Sequence, residues 1–335
     1  MDKVISSKKQ AGAIPGIPSL RIAVTSDCNM RCLYCPLDGD SYLLEETGRL
    51  DRSSLIHILD LAYETGFRYF SVTGGEPLLV PETTFEVAKN LRRHGTLGYL
   101  RLNTNGTLLT KYSEEVTESF DKVKVSVDTL IKNDLHDNRS LDGLLEMKTR
   151  KIDSRVNMVV GTSNLHEVSD MISFCERDGF ELKLFDIARY RDVNSADTDY
   201  WDKEYVSLLN LIDRLSKEYG TPKIEYSIGG YGSPMLVFKS GFASPIYIRS
   251  GEIETRYHSR CARCPDFPCH DGFCNLTLTP DGHLKTCRPK GISFLPRLIG
   301  RKGILESDAF ILHTLSSAIN LFKDTKRKKR TCGLA

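Results

Sequence analysis

The chain has 335 residues, 40% of them hydrophobic by type, which is enough to bury a substantial core and argues against a disordered protein. Its 46 Lys and Arg residues nearly balance its 44 Asp and Glu residues, so the overall charge gives no support for a nucleic-acid partner. No apolar run approaches the roughly 18 residues that cross a bilayer, and the start of the chain lacks a secretory signal, so we expect a cytoplasmic protein with no membrane partner.

Short β-rich runs recur through the first half of the chain, and segments with helical spacing lie between them. The predicted strands are 20–25, 68–74, 98–106, 122–128, 155–160 and 181–187. One helical face after the first strand is apolar and carries Leu55, Ile58, Leu59 and Leu61 or Ala62. Gly66, Gly95 and Gly179 fit helix ends.

Alternation of strand and helix predicts a parallel sheet with crossover helices. Six such units are too few to close an eight-stranded barrel. We therefore predict an α/β fold built on a partial (βα)6 barrel that is open on one side, with its functional site at the carboxyl ends of the strands.

Three cysteines follow the first predicted strand directly, in the segment CNMRCLYC that contains Cys28, Cys32 and Cys35. Eight of the ten cysteines fall in two clusters, which in a reducing compartment indicates metal ligation and not disulfides. Three thiolates hold three irons of a 4Fe-4S cluster and leave the fourth iron open, whereas a structural zinc or iron-sulfur site normally takes four protein ligands. A structural site that borrows its fourth ligand from elsewhere is the alternative interpretation.

This motif, Cys-x3-Cys-x-aromatic-Cys after the first strand, resembles the radical S-adenosylmethionine (SAM) superfamily. The resemblance implies that Cys28, Cys32 and Cys35 bind a 4Fe-4S cluster whose open iron binds SAM. It places Tyr34 beside the adenine. It also implies reductive cleavage of SAM to a 5'-deoxyadenosyl radical, which abstracts hydrogen from a substrate, and a flavodoxin- or ferredoxin-type electron donor.

The segment TGGEP after the second predicted strand supports the resemblance, because it matches the superfamily's motif for the amino group of SAM. Gly74 and Gly75 permit close backbone approach to a ligand, and Glu76, which precedes Pro77, either accepts from an ammonium or fixes the loop. By the same resemblance, further cofactor contacts come from Thr104, Asn105, Ser126 and Lys183. Asn-Gly and Ser-x-Asp sequences also serve as ordinary turns and caps, which is the alternative at Asn105 and Ser126.

Segments between residues 15 and 190 further resemble the GTP 3',8-cyclases and related enzymes with twitch or SPASM extensions. A second group of cysteines extends the resemblance and implies a C-terminal extension with an auxiliary 4Fe-4S cluster, held by Cys261, Cys264, Cys269, Cys274 and Cys287. The runs NLTLT and HLKT flank the turn PDG and predict a β-hairpin there. A zinc knuckle is the alternative.

The predicted regions are an N-terminal segment (1–18), the partial barrel (19–220), the auxiliary-cluster extension (221–322) and a basic tail (323–335). For the tail, with its run KDTKRKKR, a solvated segment is the simplest interpretation.

The chain departs from the cyclases where they hold GTP. Their Arg-x-Arg pair corresponds to Asn275, Leu276 and Thr277, although their first-strand arginine has a counterpart in Arg21. Because a triphosphate needs several cations, we expect no turnover of GTP. We predict instead an oxidoreductase or lyase for a small polar biosynthetic molecule, such as a sugar, cyclitol or nucleoside, in which the auxiliary cluster assists by electron transfer or substrate binding. The alternatives are GTP 3',8-cyclase activity, peptide modification and, outside catalysis, an iron-sulfur redox sensor or zinc protein.

Overall fold

A computed structural model describes residues 17–35, 50–131, 139–188, 198–226, 234–239, 244–264, 272–273, 276–287, 295–300 and 303–329. The helices are α1 (Arg52–Glu64), α2 (Pro81–Arg93), α3 (Ser113–Ser119), α4 (Arg139–Thr149), α5 (Val168–Asp178), α6 (Thr198–Glu204), α7 (Leu209–Tyr219) and α8 (Asp308–Lys323). The strands are β1 (Leu20–Ala23), β2 (Tyr69–Thr73), β3 (Tyr99–Thr104), β4 (Lys122–Ser126), β5 (Asp153–Val160), β6 (Glu181–Asp186), β7 (Lys223–Tyr226), β8 (Pro234–Phe238), β9 (Ile246–Arg249), β10 (Glu254–Tyr257), β11 (Leu276–Leu278), β12 (Leu284–Lys285) and β13 (Lys326–Lys329).

The first six strands lie side by side in chain order, and each pairs in parallel with the next. This confirms the predicted open parallel sheet, with crossover helices between its strands. One face of each strand is apolar and belongs to the core, as Ile22, Val72 and Leu102 do. The predicted apolar face of α1 is buried in full, and the three glycines expected at helix ends have positive φ.

The C-terminal part of the chain continues this sheet at both edges. Strand β11 pairs in parallel with β1 and carries β12 as an antiparallel edge, which confirms the predicted hairpin. At the other edge β9 pairs in parallel with β6, and β8 and β7 follow as antiparallel strands. The resulting 11-stranded sheet crosses the boundary predicted between residues 220 and 221.

A separate two-stranded sheet joins β10 to β13 in antiparallel pairing. The end of α8 and strand β13 occupy the start of the predicted basic tail, where Lys323, Asp324 and Lys326 are exposed. Residues 330–335 lie outside the described part. Across the described ranges, none of the helices has the length and apolar character needed to cross a bilayer.

Candidate functional site

The loops after the parallel strands meet at one edge of the sheet, and the three cysteines of CNMRCLYC lie on the first of these loops. Cys28 and Cys35 are exposed, and Cys32 is partly buried. Burial raises the pKa of the Cys32 thiol to about 11; the Asp128 carboxylate, Cys35 and Cys28 act in the same direction, and a hydrogen bond with Tyr34 opposes them. The three thiols are thus electrostatic neighbours. A 4Fe-4S cluster takes each thiolate on a different iron, so three adjacent thiols on one exposed loop fit that group.

Tyr34 connects the cysteine loop to the ends of β4 and β5. Its hydroxyl donates to Asp128 Oδ2 at 2.5 Å, and the other carboxylate oxygen accepts from the Val159 N–H at 2.8 Å. Burial and the neighbouring Asp128 carboxylate raise the pKa of Tyr34 well above its usual range, so the hydroxyl remains a donor. The tyrosine therefore anchors the loop between its second and third cysteines.

The TGGEP loop packs against the backbone of the cysteine loop. The Gly75 N–H donates to Thr25 O, and the Glu76 N–H donates to Asp27 O, both at 2.8 Å. A Cβ atom at Gly75 would lie 2.1 Å from Asp27 O, and one at Gly74 would lie 2.4 Å from Thr25 O. The glycines therefore make their close approach to a neighbouring loop of the protein.

Glu76 is fully buried and fixes the loop, which is one of its two predicted roles. One carboxylate oxygen accepts from the Leu78 N–H at 3.0 Å and from Thr104 Oγ1 at 2.8 Å, and the other accepts from the Asn105 N–H at 2.7 Å. Burial raises the pKa of Glu76, and these hydrogen bonds oppose that rise. Pro77, also buried, follows as the start of a short 3-10 turn, Pro77–Leu79.

Asn105 faces the cysteine loop. Its Nδ2 donates to Asn29 Oδ1 at 2.8 Å and lies 3.8 Å from Cys28 Sγ. Its Oδ1 accepts from the N–H and the Oγ1 of Thr107, at 3.0 and 2.7 Å. Ser126, the exposed last residue of β4, lies at the same edge of the sheet, whereas Lys183 lies in the interior of β6.

Five cations project from the face of the sheet opposite the helix-packed core, and sequence reasoning did not bring them together: Arg21, Arg101, Lys124, Arg155 and Lys183. They alternate with buried apolar residues along their strands, and Lys124 pairs in register with Arg155. Burial lowers the pKa of Lys124 well below its usual range, and repulsion from the other four cations lowers it further. The sequence signal for this group is the alternation of charged and apolar residues along each strand. Strands of a parallel sheet are usually apolar on both faces, so a charged face is unusual.

Part of this positive charge is offset at the amino ends of the strands. Glu181 contacts Arg155 Nη2 at 2.5 Å and Lys122 Nζ at 2.7 Å, and Asp153 contacts Lys122 Nζ at 2.9 Å. Arg101 is in register with Lys122, and Lys122 is in register with Asp153, so Arg101 lies level with this network.

The predicted auxiliary site is described only in part. Cys261 is buried beside Cys264, whose N–H donates to Cys261 O at 2.9 Å, and Cys287 follows β12. Cys269 and Cys274 lie outside the described residues. Within the described ranges, no three His, Cys, Asp or Glu side chains lie close enough to bind a single metal ion. This holds for Cys28, Cys32 and Cys35 as well, for which the expected group places each thiolate on a different iron. An auxiliary cluster stays a prediction.

Residues 22–175 match the family model described as "Radical SAM superfamily". The curated relatives include a probable GTP 3',8-cyclase of Methanothermobacter thermautotrophicus, 27% identical over 290 residues that make up 81% of this chain and 84% of that protein. A GTP 3',8-cyclase of Rhodopseudomonas palustris is 28% identical over 283 residues, covering 81% of this chain and 76% of its own.

Solved structures share the fold. Streptococcus suis SuiB bound to S-adenosylmethionine superposes with a TM-score of 0.56 at 14% identity, covering 91% of this chain and 68% of that one. Native anSMEcpe with bound AdoMet gives a TM-score of 0.52 at 16% identity, covering 90% of this chain and 82% of the other. With the cysteine loop in place at the mouth of a parallel sheet, residues 22–175 are a radical SAM domain, and the chain is an enzyme. The cofactors of this domain are a 4Fe-4S cluster and SAM.

Proposed function

We propose that this chain acts on a purine nucleoside triphosphate, with GTP as the first candidate, and joins ribose C3' to base C8 as the name of its curated relatives describes. The observation that carries the proposal is the group of five cations on the face of the sheet opposite the helices. This proposal replaces the sugar, cyclitol or nucleoside expected from the sequence, which the comparisons do not support.

The cations suit a polyanion. Lys124 lies among four other positive side chains, and their mutual repulsion is relieved when negative charge enters between them. Each of the five lies on a strand interior, below the loops that carry Cys28 and Glu76. A nucleotide with its phosphates on this face would therefore direct its ribose towards the cysteine loop, where SAM binds in this superfamily.

The five cations supply positive charge although the Arg-x-Arg pair of the cyclases is absent from this chain. Thr277, at the second arginine position, pairs in register with Arg21, so it adjoins one of the five cations. Leu276 is buried in the core, and Asn275 lies outside the described residues. In our proposal Arg101 and Lys124, from the centre of the sheet, hold the phosphates that a second arginine would otherwise contact.

When bound, the cluster and SAM supply a 5'-deoxyadenosyl radical that abstracts hydrogen from the substrate. The protein's part is to hold the cluster, SAM and the substrate and to orient them. Cys28, Cys32 and Cys35 would hold the cluster, the loop fixed by Glu76 would contact SAM, and the cation group would fix the distance between substrate and SAM. Binding energy at remote phosphates would thus orient the reacting carbon.

The test is a turnover assay on protein reconstituted anaerobically with iron and sulfide. With SAM, reductant and GTP, we expect 5'-deoxyadenosine together with 3',8-cyclo-GTP, both measured by mass spectrometry. Lys124→Met should raise the KM for GTP by about one to two orders of magnitude, because a charge-assisted bond contributes roughly 1.5–3 kcal/mol.

The variant has two controls. Unliganded Lys124→Met should unfold at the same temperature as the wild type or higher, since it removes a repelled buried charge. Lys239→Met removes an exposed lysine that pairs with Glu225 on β7, and its KM should not change. Absence of the cyclised product, or an unchanged KM in Lys124→Met, would contradict the proposal.

A further inference from the structure

We propose that Asn105 raises the reduction potential of the 4Fe-4S cluster through an N–H···S hydrogen bond to Cys28. Among the described residues, Cys28 Sγ has two nitrogen donors: the Met30 N–H at 3.4 Å and Asn105 Nδ2 at 3.8 Å. Hydrogen bonds to cluster sulfurs are among the features that set the potential, because they stabilise the more negative, reduced state. Asn105 is then a positioning and tuning residue for electron entry.

The amide of Asn105 has only one orientation that satisfies its neighbours. The backbone N–H of Thr107 is an obligatory donor, and it points at one end of the amide at 3.0 Å, so that end is the oxygen. Thr107 Oγ1 donates to the same oxygen at 2.7 Å. The nitrogen end therefore faces Cys28 and Asn29 Oδ1. The hydrogen bonds from Thr107 therefore leave the side-chain N–H of Asn105 as the donor to Cys28 Sγ.

The position of Asn105 is also fixed through its backbone. Its N–H donates to the fully buried Glu76, which also binds Thr104 on the same strand. A change in the side chain of Asn105 leaves this backbone bond in place. Asn105 thus contacts Glu76 of the TGGEP loop through its backbone N–H and Cys28 Sγ through its side-chain nitrogen. The inference rests on the cluster site alone and is independent of the proposed nucleotide substrate.

The experiment is an EPR-monitored redox titration of the reconstituted holoenzyme without substrate. Asn105→Ala removes the donor, and at a fixed potential the ratio of reduced to oxidised cluster should fall about three- to tenfold; tenfold corresponds to about 59 mV for one electron. Asn105→Asp puts an acceptor where the donor was, so its ratio should fall further. Asn90→Ala, on α2 and bonded to Asp60, is the control, and its ratio should equal that of the wild type.

Iron content separates tuning from assembly. If Asn105→Ala carries the wild-type amount of iron and its titration curve is unchanged, the proposal is wrong. If that variant takes up no iron, Thr107→Val decides, because it removes one of the two donors that orient the amide. The same change removes the acceptor of the Asn29 Nδ2 hydrogen bond at 2.9 Å, but it alters no printed contact of Cys28 or Glu76. We expect a smaller shift of the same sign in Thr107→Val, and an unshifted curve there would equally overturn the proposal. A GTP assay that fails has no bearing on this outcome.

Discussion

Gly75 has no room for a side chain, because the backbone of the cysteine loop fills the space where a Cβ atom would be. A Cβ there would lie 2.1 Å from Asp27 O and 2.7 Å from Ser26 O. Backbone atoms cannot move aside as the end of a flexible side chain does. We predict that Gly75→Ala displaces the cysteine loop, lowers the free energy of unfolding of the apoprotein by about 1–3 kcal/mol and reduces the iron bound after reconstitution. Urea denaturation and iron analysis measure the two effects.

Gly95→Ala is the matched control for this change. Gly95 follows α2 with φ at 92° and has open space where a Cβ atom would lie, so alanine there meets backbone strain and no contact. Its stability should fall by about 1–2 kcal/mol, while its iron content stays at the wild-type level. Equal iron content in both variants would contradict the role given to Gly75.

Tyr34 allows a second test of the same loop. Tyr34→Phe removes the hydroxyl that donates to Asp128 at 2.5 Å and leaves a carboxylate oxygen without that donor. Because hydrogen bonds to charged groups contribute roughly 1.5–3 kcal/mol, we expect a loss of about that size in the free energy of unfolding. In Tyr63→Phe the lost bond is an exposed one to Thr96 O at 3.5 Å, so stability should change by less than about 0.5 kcal/mol. Similar losses in both variants would be the contrary result.

The residues of the cluster loop were predictable because they are contiguous in sequence. Cys28 to Cys35 and Gly74 to Pro77 each form one short motif directly after a strand, so their location follows from the motif and the sheet. The cation group was not predictable in this way. Arg21 and Lys183 are far apart in the chain and share a face only through the register of several strands. The sequence of a single strand shows that charged and apolar residues alternate. It does not show which charged residues of neighbouring strands lie beside them.

At the scale of elements, an ionic network ties β4, β5 and β6 together at their amino ends. Lys122 contacts Asp153 and Glu181, and Glu181 also contacts Arg155. Burial alone would raise the pKa of Glu181, but attraction to Arg155 and Lys122 outweighs it and holds that pKa below its usual range. The network therefore contributes stability while Glu181 is ionised.

We predict that Glu181→Gln lowers the free energy of unfolding at pH 7 by about 1.5–3 kcal/mol. A carboxyl group with a depressed folded pKa adds stability above its unfolded pKa of about 4.3, and this stability is lost as the pH falls through the folded value. The difference in free energy of unfolding between wild type and variant should therefore become smaller below about pH 4. Urea denaturation at pH 7 and at lower pH measures it.

Glu225→Gln is the control for this pair of measurements. Glu225 contacts Lys239 at 2.6 Å, but both side chains are exposed, so the change should cost less than about 1 kcal/mol. A gap for Glu181→Gln that stays constant down to acid pH would contradict the ionic explanation.

The six barrel strands could be predicted because each carries a local apolar pattern followed by a helix. The two added edges could not. The hairpin of β11 and β12 has its own turn signal, but nothing in Leu276 to Leu278 indicates that β11 pairs in parallel with β1. Likewise β9 has only four residues, and its partner β6 is distant in sequence. Long-range pairing leaves no local mark.

For the whole molecule, these added edges make one sheet of the two regions expected from the sequence. Strands from beyond residue 220 cover the outer sides of both β1 and β6, and Asp186 at the end of β6 accepts from Ser250 Oγ and the Gly251 N–H at 2.6 and 3.0 Å. A sheet edge without its neighbour exposes backbone donors and acceptors. The barrel therefore depends on the C-terminal part for its two edges.

We predict that the apoprotein unfolds as one cooperative unit. Trp201, the single tryptophan, bonds Ile187 O at 3.2 Å beside the end of β6, so its fluorescence reports the barrel, while far-UV circular dichroism reports all the helices and strands. The urea transitions of these two signals should coincide, and peptides from β9 and β11 should exchange their amide hydrogens with the same opening free energy as those from β1 and β6. A chain cut after Gly220 should aggregate, because it exposes both edges. An earlier transition confined to β9 and β11, or a soluble truncated chain with the wild-type melting temperature, would show that the barrel is complete without them.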